Sequence, residues 1–254
     1  MILLMGGTSE SATIAQAIAD AGLSVLVSMA TDVPLTLPSC RNIETRRGRL
    51  SLEQLIDLIG ERGITALVDA AHPYALEAHK TARAAAQHAS IPYIHWLRPE
   101  SDLSSFANLR FAANHDEAAR LAVGLRRPIL LTIGSRNLSP YVCAARAANV
   151  AMYARVLPCS ESVEACHVAG LRVSEVVAAR GPFTVEDTLL LLRSLQIGTL
   201  VTKESGEAGG VPEKLEAATR AECNVVVVQR ASFDERDLCR TLDEMIYKLR
   251  SCHR

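Results

Sequence analysis

The chain begins MILLMGGTSES (Met1–Ser11), an apolar run that leads directly into two glycines and a group of polar residues. A buried strand that stops at Gly6 and Gly7 and continues as a helix is a common way to build a cradle for a nucleotide phosphate. The G-x-G-x-x-G fingerprint is absent, because Thr8 and Ser11 stand at its later glycine positions. The stretch therefore predicts either a cofactor cradle or a strand–helix turn capped by Ser or Thr.

Short apolar runs of strand type alternate with helical patterns, which is typical of parallel sheets with helices on both faces. A polar, turn-rich segment, RPESDLSS (Arg98–Ser105), divides this series. We expect strands at 1–5, 23–29, 42–45, 64–69, 91–96, 128–133, 150–157, 173–178, 198–202 and 224–229. We expect helices at 9–21, 52–61, 74–88, 185–195, 211–221 and 234–250. The predicted fold class is α/β, with two Rossmann-like parallel-sheet domains, residues 1–100 and 101–254, and an interdomain cleft. The last helix could pack on either half.

The bulk composition excludes several classes of protein. The 254 residues are 49% hydrophobic and 22% charged, with a net charge of -1, which gives no reason to expect a nucleic-acid partner. No apolar run approaches the ~20 residues needed to cross a bilayer, and the start lacks the features of a secretory signal. Seven scattered cysteines without a C-x-x-C argue against a disulfide framework or a structural zinc site. A cytoplasmic protein without a membrane partner is expected.

The end of the second strand bears on the choice of cofactor. A dinucleotide fold that prefers NAD places a carboxylate there to bind the ribose 2′-hydroxyl, whereas this strand ends near Ser28 and Thr31. A basic segment follows the third strand, made of Arg46, Arg47, Gly48 and Arg49. Guanidinium groups suit a phosphate, so a bound dinucleotide is predicted to be NADP. A solvated basic turn is the alternative for any one of these arginines.

The segment DAAHPYA (Asp69–Ala75) ends a strand and begins a helix. Ligands of open parallel sheets gather beyond the carboxyl ends of the strands, so Asp69 and the residues after it are predicted to face a crevice. Those residues are Ala71, His72, Pro73 and Tyr74. His72 could donate a proton or cap the turn, and Pro73 fits the first position of a helix.

The segment VTKESGEAGGVPEK (Val201–Lys214) contains two of only four lysines in the chain. Lys203 and Lys214 bracket a glycine-rich loop after a strand, and such a loop can close around a phosphate or carboxylate. It is not a Walker A motif, because no G-K-[ST] follows at the required spacing. We predict a ligand-binding loop with Lys203, Glu204, Ser205, Gly206 and Lys214, the alternative being a solvated loop.

Two further strand ends point to the same crevice. LTIGSRNL carries Ser135 and Arg136, and ARGPFTVED carries Arg180 and Phe183. The sequence contains no G-x-S-x-G elbow, no Ser-His-Asp order and no cluster of metal ligands. Without a protein nucleophile or a metal, a bound cofactor is expected to carry the chemistry.

Several of these motifs together resemble the precorrin-6A reductases of cobalamin biosynthesis and their cobalt-precorrin counterparts. The similar segments occur in order along nearly the whole chain: GGTSE (Gly6–Glu10), GR (Gly48–Arg49), DAAHPYA, IPYIHWLRP (Ile91–Pro99), IGSRNL (Ile133–Leu138), RGPF (Arg180–Phe183) and VTKESGEAGGVPEK. One departure is Ala71, where the family pattern D-A-T-H-P has threonine, so no role can rest on a hydroxyl there.

The resemblance implies NADPH-dependent reduction of a double bond in the precorrin-6A macrocycle, a tetrapyrrole, to give precorrin-6B. It implies that residues 1–100 bind NADPH and that 101–254 complete a cleft where cofactor and substrate meet. The implied cofactor residues are Gly6, Gly7, Thr8, Ser9, Glu10, Ser28, Thr31, Arg47, Gly48, Arg49, Ala71, His72, Pro73, Tyr74, Lys203, Glu204, Ser205, Gly206 and Lys214. The implied substrate residues are Ser135, Arg136, Arg180, Phe183 and Lys203, because the substrate's acidic side chains need cationic partners.

The proton that accompanies hydride transfer is left open between solvent and three candidate catalytic residues, His72, Tyr74 and Lys203. A monomer or small homo-oligomer is expected. An NADP-binding regulatory or redox-sensing protein without catalysis is the alternative function. A nucleotide-sugar-type short-chain enzyme is disfavoured, because it would need a Tyr-x-x-x-Lys pair and Tyr74 is followed at that spacing by Ala78.

Overall fold

The computed structural model describes the chain except for residues 9, 31–36, 38–39, 98–100, 105, 107, 207–208, 231–234 and 252–254. The chain divides into two compact units. The first unit comprises Met1–Pro99 together with Ser232–Arg254, and the second comprises Glu100–Ala231. Each unit is built around one sheet of six parallel strands with helices on its faces.

The described residues form twelve strands and nine α-helices. The strands are β1 (Ile2–Met5), β2 (Val25–Met29), β3 (Ile43–Arg47), β4 (Ala66–Asp69), β5 (Tyr93–Trp96), β6 (Leu109–Ala112), β7 (Ile129–Leu131), β8 (Met152–Val156), β9 (Val176–Ala178), β10 (Thr199–Lys203), β11 (Asn224–Val228) and β12 (Leu238–Cys239). The helices are α1 (Ser11–Asp20), α2 (Leu52–Glu61), α3 (Leu76–His88), α4 (His115–Gly124), α5 (Ser139–Ala148), α6 (Ser160–Val168), α7 (Val185–Ser194), α8 (Val211–Arg220) and α9 (Leu242–Ser251). None of these described helices has the length and apolar character needed to cross a membrane.

The first strand is apolar at successive positions because it is covered on both faces. β1 lies between β2 and β4, and its side chains alternate between two separate cores. Ile2 and Leu4 pack with residues of α1 and α9, whereas Leu3 packs with residues of α2 and α3. A continuous apolar run is the pattern expected for a central strand of a parallel sheet.

Both sheets are doubly wound. The first has the order β3-β2-β1-β4-β5-β12, and the second has the order β9-β8-β7-β10-β11-β6. All recorded pairings are parallel, so the carboxyl ends of the strands in each sheet meet at one edge. The strand order reverses between β1 and β4 and again between β7 and β10, and such reversal points are where ligands of this fold class bind. The predicted α/β fold class is confirmed.

Several boundaries differ from the sequence-based prediction. The run 173–178 is a short 3₁₀ helix, Val173–Glu175, followed by β9. Helix α3 begins at Leu76, two residues after its expected start, so Pro73 lies in a turn closed by a bond from Ala75 N–H to His72 O and not at the first helical position. Strand β6 and helices α4, α5 and α6 were not predicted.

The C-terminal segment belongs to the first unit, although the sequence-based division put it in residues 101–254. The two-residue strand β12 pairs with β5, Leu238 lying opposite His95. Helix α9 begins at Leu242 instead of 234, and its fully buried Met245 and Leu249 complete the core beneath α1. Apolar residues on one face of α9 therefore decide where the end of the chain packs.

The Met245→Ala substitution should destabilise the first unit by about 2–5 kcal/mol, because it leaves a cavity in the core of that unit. The change is measurable by urea unfolding followed by tryptophan fluorescence, since the only tryptophan in the chain, Trp96, lies in β5. Tyr247→Ala is the matched control on the same helix, because Tyr247 is 74% exposed. Equal midpoints for Met245→Ala and the unmodified chain would contradict this placement of α9.

Candidate active site

The loop after β1 is shaped by two glycines and the hydroxyl of Ser11. The N–H groups of Gly7 and Thr8 donate to Ser11 Oγ at 3.0 and 3.1 Å. A Cβ on Gly6 would lie 3.0 Å from Ser11 Oγ and from Val27 Cγ1, and Gly7 has φ +99°, so both positions favour glycine. The N-cap of α1 is Glu10, which makes no side-chain capping bond. The described part of this loop is therefore not a Ser- or Thr-capped turn.

The same loop is tied to the neighbouring strand end across the reversal point. Buried Thr8 donates from Oγ1 to the carbonyl of Ala70 at 3.3 Å. Glu10 accepts a hydrogen bond from Trp96 Nε1 at 3.3 Å. Gly6, Gly7, Thr8 and Glu10 are thus held at one edge of the first sheet, whereas the predicted Ser9 lies outside the described residues.

An arginine of β3 reaches the end of β2, where an NAD-preferring fold would carry a carboxylate. Ser28 lies opposite Arg46 in the β2–β3 register, and Arg46 Nη1 donates to Ser28 Oγ at 2.7 Å. Arg46 also donates to the carbonyls of Arg47 and Gly48, both at 2.9 Å, and so shapes the turn after β3. Arg47, Gly48 and Arg49 are exposed, and the predicted Thr31 lies outside the described residues.

Arg46 is the arginine of this segment that reaches the end of β2, although the set of cofactor residues inferred from the sequence omitted it. The alternation of a strand is a signal that could have found it. Residues 46 and 28 are paired, so their side chains lie on the same face of the sheet, whereas Arg47 points to the other face.

Asp69 is completely buried and does not face a crevice as the sequence predicted. Its Oδ2 lies 2.8 Å from His79 Nδ1 and accepts a hydrogen bond from the Tyr93 hydroxyl at 2.7 Å. Its Oδ1 accepts from the N–H of Ala71 at 3.1 Å. Burial alone would raise the pKa of Asp69, but the hydrogen bond and charge of His79, with the Tyr93 hydroxyl, hold that pKa below its ordinary value. Asp69 therefore acts as a buried anionic anchor for the loop that follows β4.

His79 joins that anchor to the loop. Its Nδ1 faces the Asp69 carboxylate and its Nε2 lies 3.1 Å from the carbonyl oxygen of His72. The His79 ring thus bridges the Asp69 carboxylate and the backbone of the loop after β4. Asp69, His79 and His95 have ligand atoms within 4.8 Å of one another, as a metal site would. The hydrogen bonds with the carboxylate and the carbonyl already use both nitrogens of His79.

The residues predicted to be functional in this loop lie in different environments. His72 is exposed, and its Nδ1 accepts from the N–H of Tyr74 at 3.3 Å. Tyr74 is half-buried with its ring centre 5.9 Å from that of His72, and Pro73 is buried. The backbone of Ala71 bonds to Asp69, and its methyl group takes no part. The structure thus brings His72 and Tyr74 together beside the reversal point of the first sheet.

In the second unit, the loop after β10 is organised by Glu204. This buried carboxylate accepts hydrogen bonds from the N–H groups of Ser101 at 3.0 Å and Gly206 at 3.2 Å, and it forms an ion pair with Arg230. Ser205 is also buried, and its hydroxyl lies so close to Gly209 that a Cβ there would clash. Glu204 and Ser205 are therefore engaged in shaping the loop.

The two predicted lysines of this loop lie among other cations. Burial and the nearby charge of Arg136 lower the pKa of Lys203 to about 8. Burial, with Arg155 and Lys203 close by, lowers the pKa of Lys214 to about 8 as well. Lys214 Nζ donates to the carbonyl of Gly209 at 2.7 Å. The reversal point of the second sheet is thus strongly electropositive.

The remaining predicted residues lie at the same edge of the second sheet. Ser135 is half-buried and its hydroxyl donates to Ser162 Oγ at 3.4 Å, while Arg136 and Arg180 are exposed. Phe183 is half-buried and packs under the guanidinium of Arg155, whose Cζ lies 3.9 Å from the ring centre. Arg155, which follows from no sequence motif, is therefore part of this edge.

Together these features define a Rossmann-like α/β protein with a glycine-and-hydroxyl loop at one reversal point and a lysine-bearing loop at the other. The family model described as precorrin-6x reductase CbiJ/CobK matches residues 1–250. The chain belongs to this family, whose members are oxidoreductases of cobalamin biosynthesis, and the predicted resemblance is confirmed.

Similar proteins agree with this placement. The cobalt-precorrin-6A reductase of Priestia megaterium is 33% identical over 250 residues, covering 98% of each chain. The precorrin-6A reductase of Rhodobacter capsulatus is 30% identical over 247 residues, covering 95% of this chain and 92% of that relative. A solved structure titled CobK precorrin-6A reductase has a TM-score of 0.78 and 27% identity, covering 99% of this chain and 96% of that one.

The buried histidine cluster predicts a pH-dependent loss of stability. Burial, reinforced by the charge of His79, lowers the pKa of His95 to about 4, below the ordinary value of 6.5. The unfolded chain therefore binds more protons than the folded one between these values, and stability falls as pH is lowered from 6.5 to 4, by up to about 3 kcal/mol. His95→Gln should make urea unfolding, followed by circular dichroism, less dependent on pH in this window. Exposed His88→Gln should leave the dependence unchanged, and an unaltered slope in His95→Gln would contradict the assignment.

Proposed function

We propose that this chain is an NADPH-dependent reductase that saturates one carbon–carbon double bond of precorrin-6A, or of its cobalt form, to give the 6B product. The match of the precorrin-6x reductase family over residues 1–250 carries this proposal. A hydride is added to one carbon of the conjugated macrocycle and a proton to its neighbour. The contribution of the protein is then mainly to hold the two ligands in the reactive arrangement.

The residues of the first unit fit a dinucleotide phosphate. Gly7 is exposed, has φ +99° and would meet no atom within 4 Å if it carried a Cβ, so its backbone is open to close approach. Arg46 supplies a guanidinium at the end of β2, which supports NADPH over NADH. When bound, NADPH supplies the hydride. We place the adenine-ribose 2′-phosphate beside Arg46 and Ser28, with the exposed Gly48 and Arg49 next to it, whereas Arg47 points to the other face of the sheet.

The residues of the second unit fit an acidic macrocycle. Arg136 and Arg180 are exposed beyond the carboxyl ends of β7 and β9, which lie on either side of β8, and a guanidinium can bind a carboxylate with two parallel hydrogen bonds. Ser135 adds a hydroxyl at the same edge. We assign these residues, with Phe183 and Lys203, to the acidic side chains and ring system of the substrate.

For the proton we favour Lys203 over His72 and Tyr74. Lys203 ends β10 at the reversal point of the second sheet, and burial beside Arg136 lowers its pKa to about 8. An ammonium with that pKa is protonated at neutral pH and releases its proton more readily than an ordinary lysine. His72 and Tyr74 are then positioning residues at the edge of the first sheet.

The direct test follows the absorbance of NADPH with the purified protein, precorrin-6A and its cobalt form, with NADH in parallel. Oxidation that depends on the macrocycle and prefers NADPH is expected. Tight NADPH binding without oxidation would instead indicate the regulatory or redox-sensing alternative. Absence of NADPH binding would contradict the proposal.

Arg46→Gln should raise the KM for NADPH about 10–100-fold and leave the KM for NADH nearly unchanged. The reason is that a hydrogen bond to a charged group contributes about 1.5–3 kcal/mol, and NADH lacks the phosphate that would accept it. Arg41→Gln, an exposed arginine just before β3, is the control. Thermal unfolding of each variant shows whether the turn after β3 stays folded. Equal losses with both cofactors would disprove a 2′-phosphate contact.

Lys203→Met should lower kcat about 10²–10⁴-fold, the usual contribution of a general acid. In the unmodified enzyme kcat should fall as pH rises through about 8, because the donor must be protonated. Lys203→Arg keeps the charge but not the pKa, so it should preserve the substrate KM while losing that alkaline limb. Exposed Lys80→Met serves as the control. An alkaline limb that persists in Lys203→Met would assign the proton to solvent or another group.

A further inference from the structure

A buried guanidinium lies beneath the helices of the second unit. Arg155 is on β8 with only 6% of its surface exposed. In the sheet, Ala154 of β8 lies opposite Leu131 of β7, which lies opposite Val201 of β10. Arg155 is the residue after Ala154, so its side chain points to the other face. Arg155 therefore shares a face of the sheet with Leu130 and Leu200, the face that α7 and α8 cover.

Few protein groups compensate the charge of Arg155. Its Nη1 donates to Thr188 Oγ1 at 3.3 Å, and its Cζ lies over the Phe183 ring. No carboxylate of the described residues forms an ion pair with it. Asp187 exerts a weak attraction, but that side chain accepts hydrogen bonds from the N–H and hydroxyl of Thr184 in the cap of α7. A guanidinium offers five N–H donors, and a buried one is normally paired.

A second cation lies near this guanidinium. Lys214, in the first turns of α8, is within electrostatic range of both Arg155 and Lys203. Glu213 is the acidic group that partly offsets Lys214, and its Oε2 is a buried atom without a hydrogen-bond partner in the described structure. Lys214 is thus repelled by two other cations. An anion bound beside Arg155 and Lys214 would offset that repulsion.

We propose that Arg155 and Lys214, with Phe183 as a flat platform, form a binding site for an anionic oxygen group, a carboxylate or a phosphate. The proposal rests on the proposed function for the source of that group, which is either an acidic side chain of the macrocycle or a phosphate of the dinucleotide. The Phe183 ring covers one side of the guanidinium, and the N–H groups of Arg155 other than the one bonded to Thr188 offer a fork to the anion. Gly181 permits this packing, because a Cβ there would lie 3.1 Å from the Phe183 ring.

The experiment compares the unmodified protein with Arg155→Met, Lys214→Met and Arg155→Lys. Arg193→Met, an exposed arginine on α7, is the control. Thermal unfolding is recorded without ligand and with inorganic phosphate. Calorimetry gives the Kd for NADPH and for adenosine 2′,5′-bisphosphate, and steady-state kinetics give the KM for precorrin-6A.

We expect Arg155→Met to weaken one ligand at least 10-fold and to unfold at the same or a higher temperature than the unmodified protein without ligand. If Arg155 were purely structural, Arg155→Met would unfold at a lower temperature than the unmodified protein. A raised KM for precorrin-6A with unchanged nucleotide Kd identifies a carboxylate, whereas weaker binding of both nucleotides identifies a phosphate. Arg155→Lys should recover part of the affinity, because it keeps the charge without the fork.

Two results would overturn the site: unchanged affinity for every ligand in Arg155→Met and Lys214→Met, or a lower unfolding temperature of both variants with normal binding. Failure of the proposed function is a separate outcome, seen as no oxidation of NADPH by the unmodified protein with the macrocycle. In that event the thermal unfolding with inorganic phosphate still tests the proposed site. Stabilisation by phosphate that is lost in Arg155→Met and kept in Arg193→Met supports the site, and equal stabilisation in all proteins overturns it.

Discussion

The arrangement of this molecule depends on one constraint: the middle strands of both sheets are covered on both faces and can carry only apolar side chains along most of their length. In β1 this excludes polar groups until Gly6, and in β7 until Thr132. Polar chemistry is therefore confined to the strand ends, and parallel pairing brings those ends to one edge of each sheet. The glycine-rich loops lie where the strand order reverses, because two neighbouring strand ends leave room there for a ligand.

The two units treat buried charge in opposite ways. In the first unit, the Asp69 carboxylate is hydrogen-bonded to His79, Tyr93 and a backbone N–H, so its buried charge is compensated by the protein itself. In the second, Arg155 repels Lys214, and neither cation forms an ion pair with a carboxylate of the described residues, although Glu213 partly offsets Lys214. A compensated buried pair holds a loop in place, whereas uncompensated cations favour an anionic ligand. The first network therefore positions the site, and the second has the electrostatics of a binding pocket.

Much of the fold could be predicted from the sequence, because long-range pairing is not needed to recognise alternating strands and helices. Most strands and the helices α2, α7 and α8 are close to their expected bounds. The short strand β12 was not predictable, since two residues carry no pattern and its partner β5 is far away in the sequence. Helix α4 was missed for a different reason: it is rich in alanine and charged residues, so its apolar face is weakly marked.

In the candidate site, too, features of the local sequence could be predicted and features that depend on distant residues could not. Motifs with glycine and polar residues, such as those at Gly6 and Lys203, are visible locally. Arg46 stands in a basic segment, but its contact with Ser28 of another strand is what distinguishes it from its neighbours. Arg155 belongs to no motif, and its importance comes from its contact with Phe183. The prediction that Asp69 faces a crevice is wrong, because the side chains that bond to it, His79 and Tyr93, lie 10 and 24 positions further along the chain.

The substitution at Ala71 illustrates how the structure changes the meaning of a motif. The family resemblance implies a threonine at this position, so the alanine leaves no hydroxyl on which a role could rest. In the structure, residue 71 contributes through its backbone N–H, which donates to Asp69 Oδ1, and any residue other than proline can make that bond. The turn that presents His72 is fixed from its other end as well, by His79 at the His72 carbonyl. Because both attachments of this turn use backbone groups, the side chain at position 71 can vary while the geometry of the loop is kept.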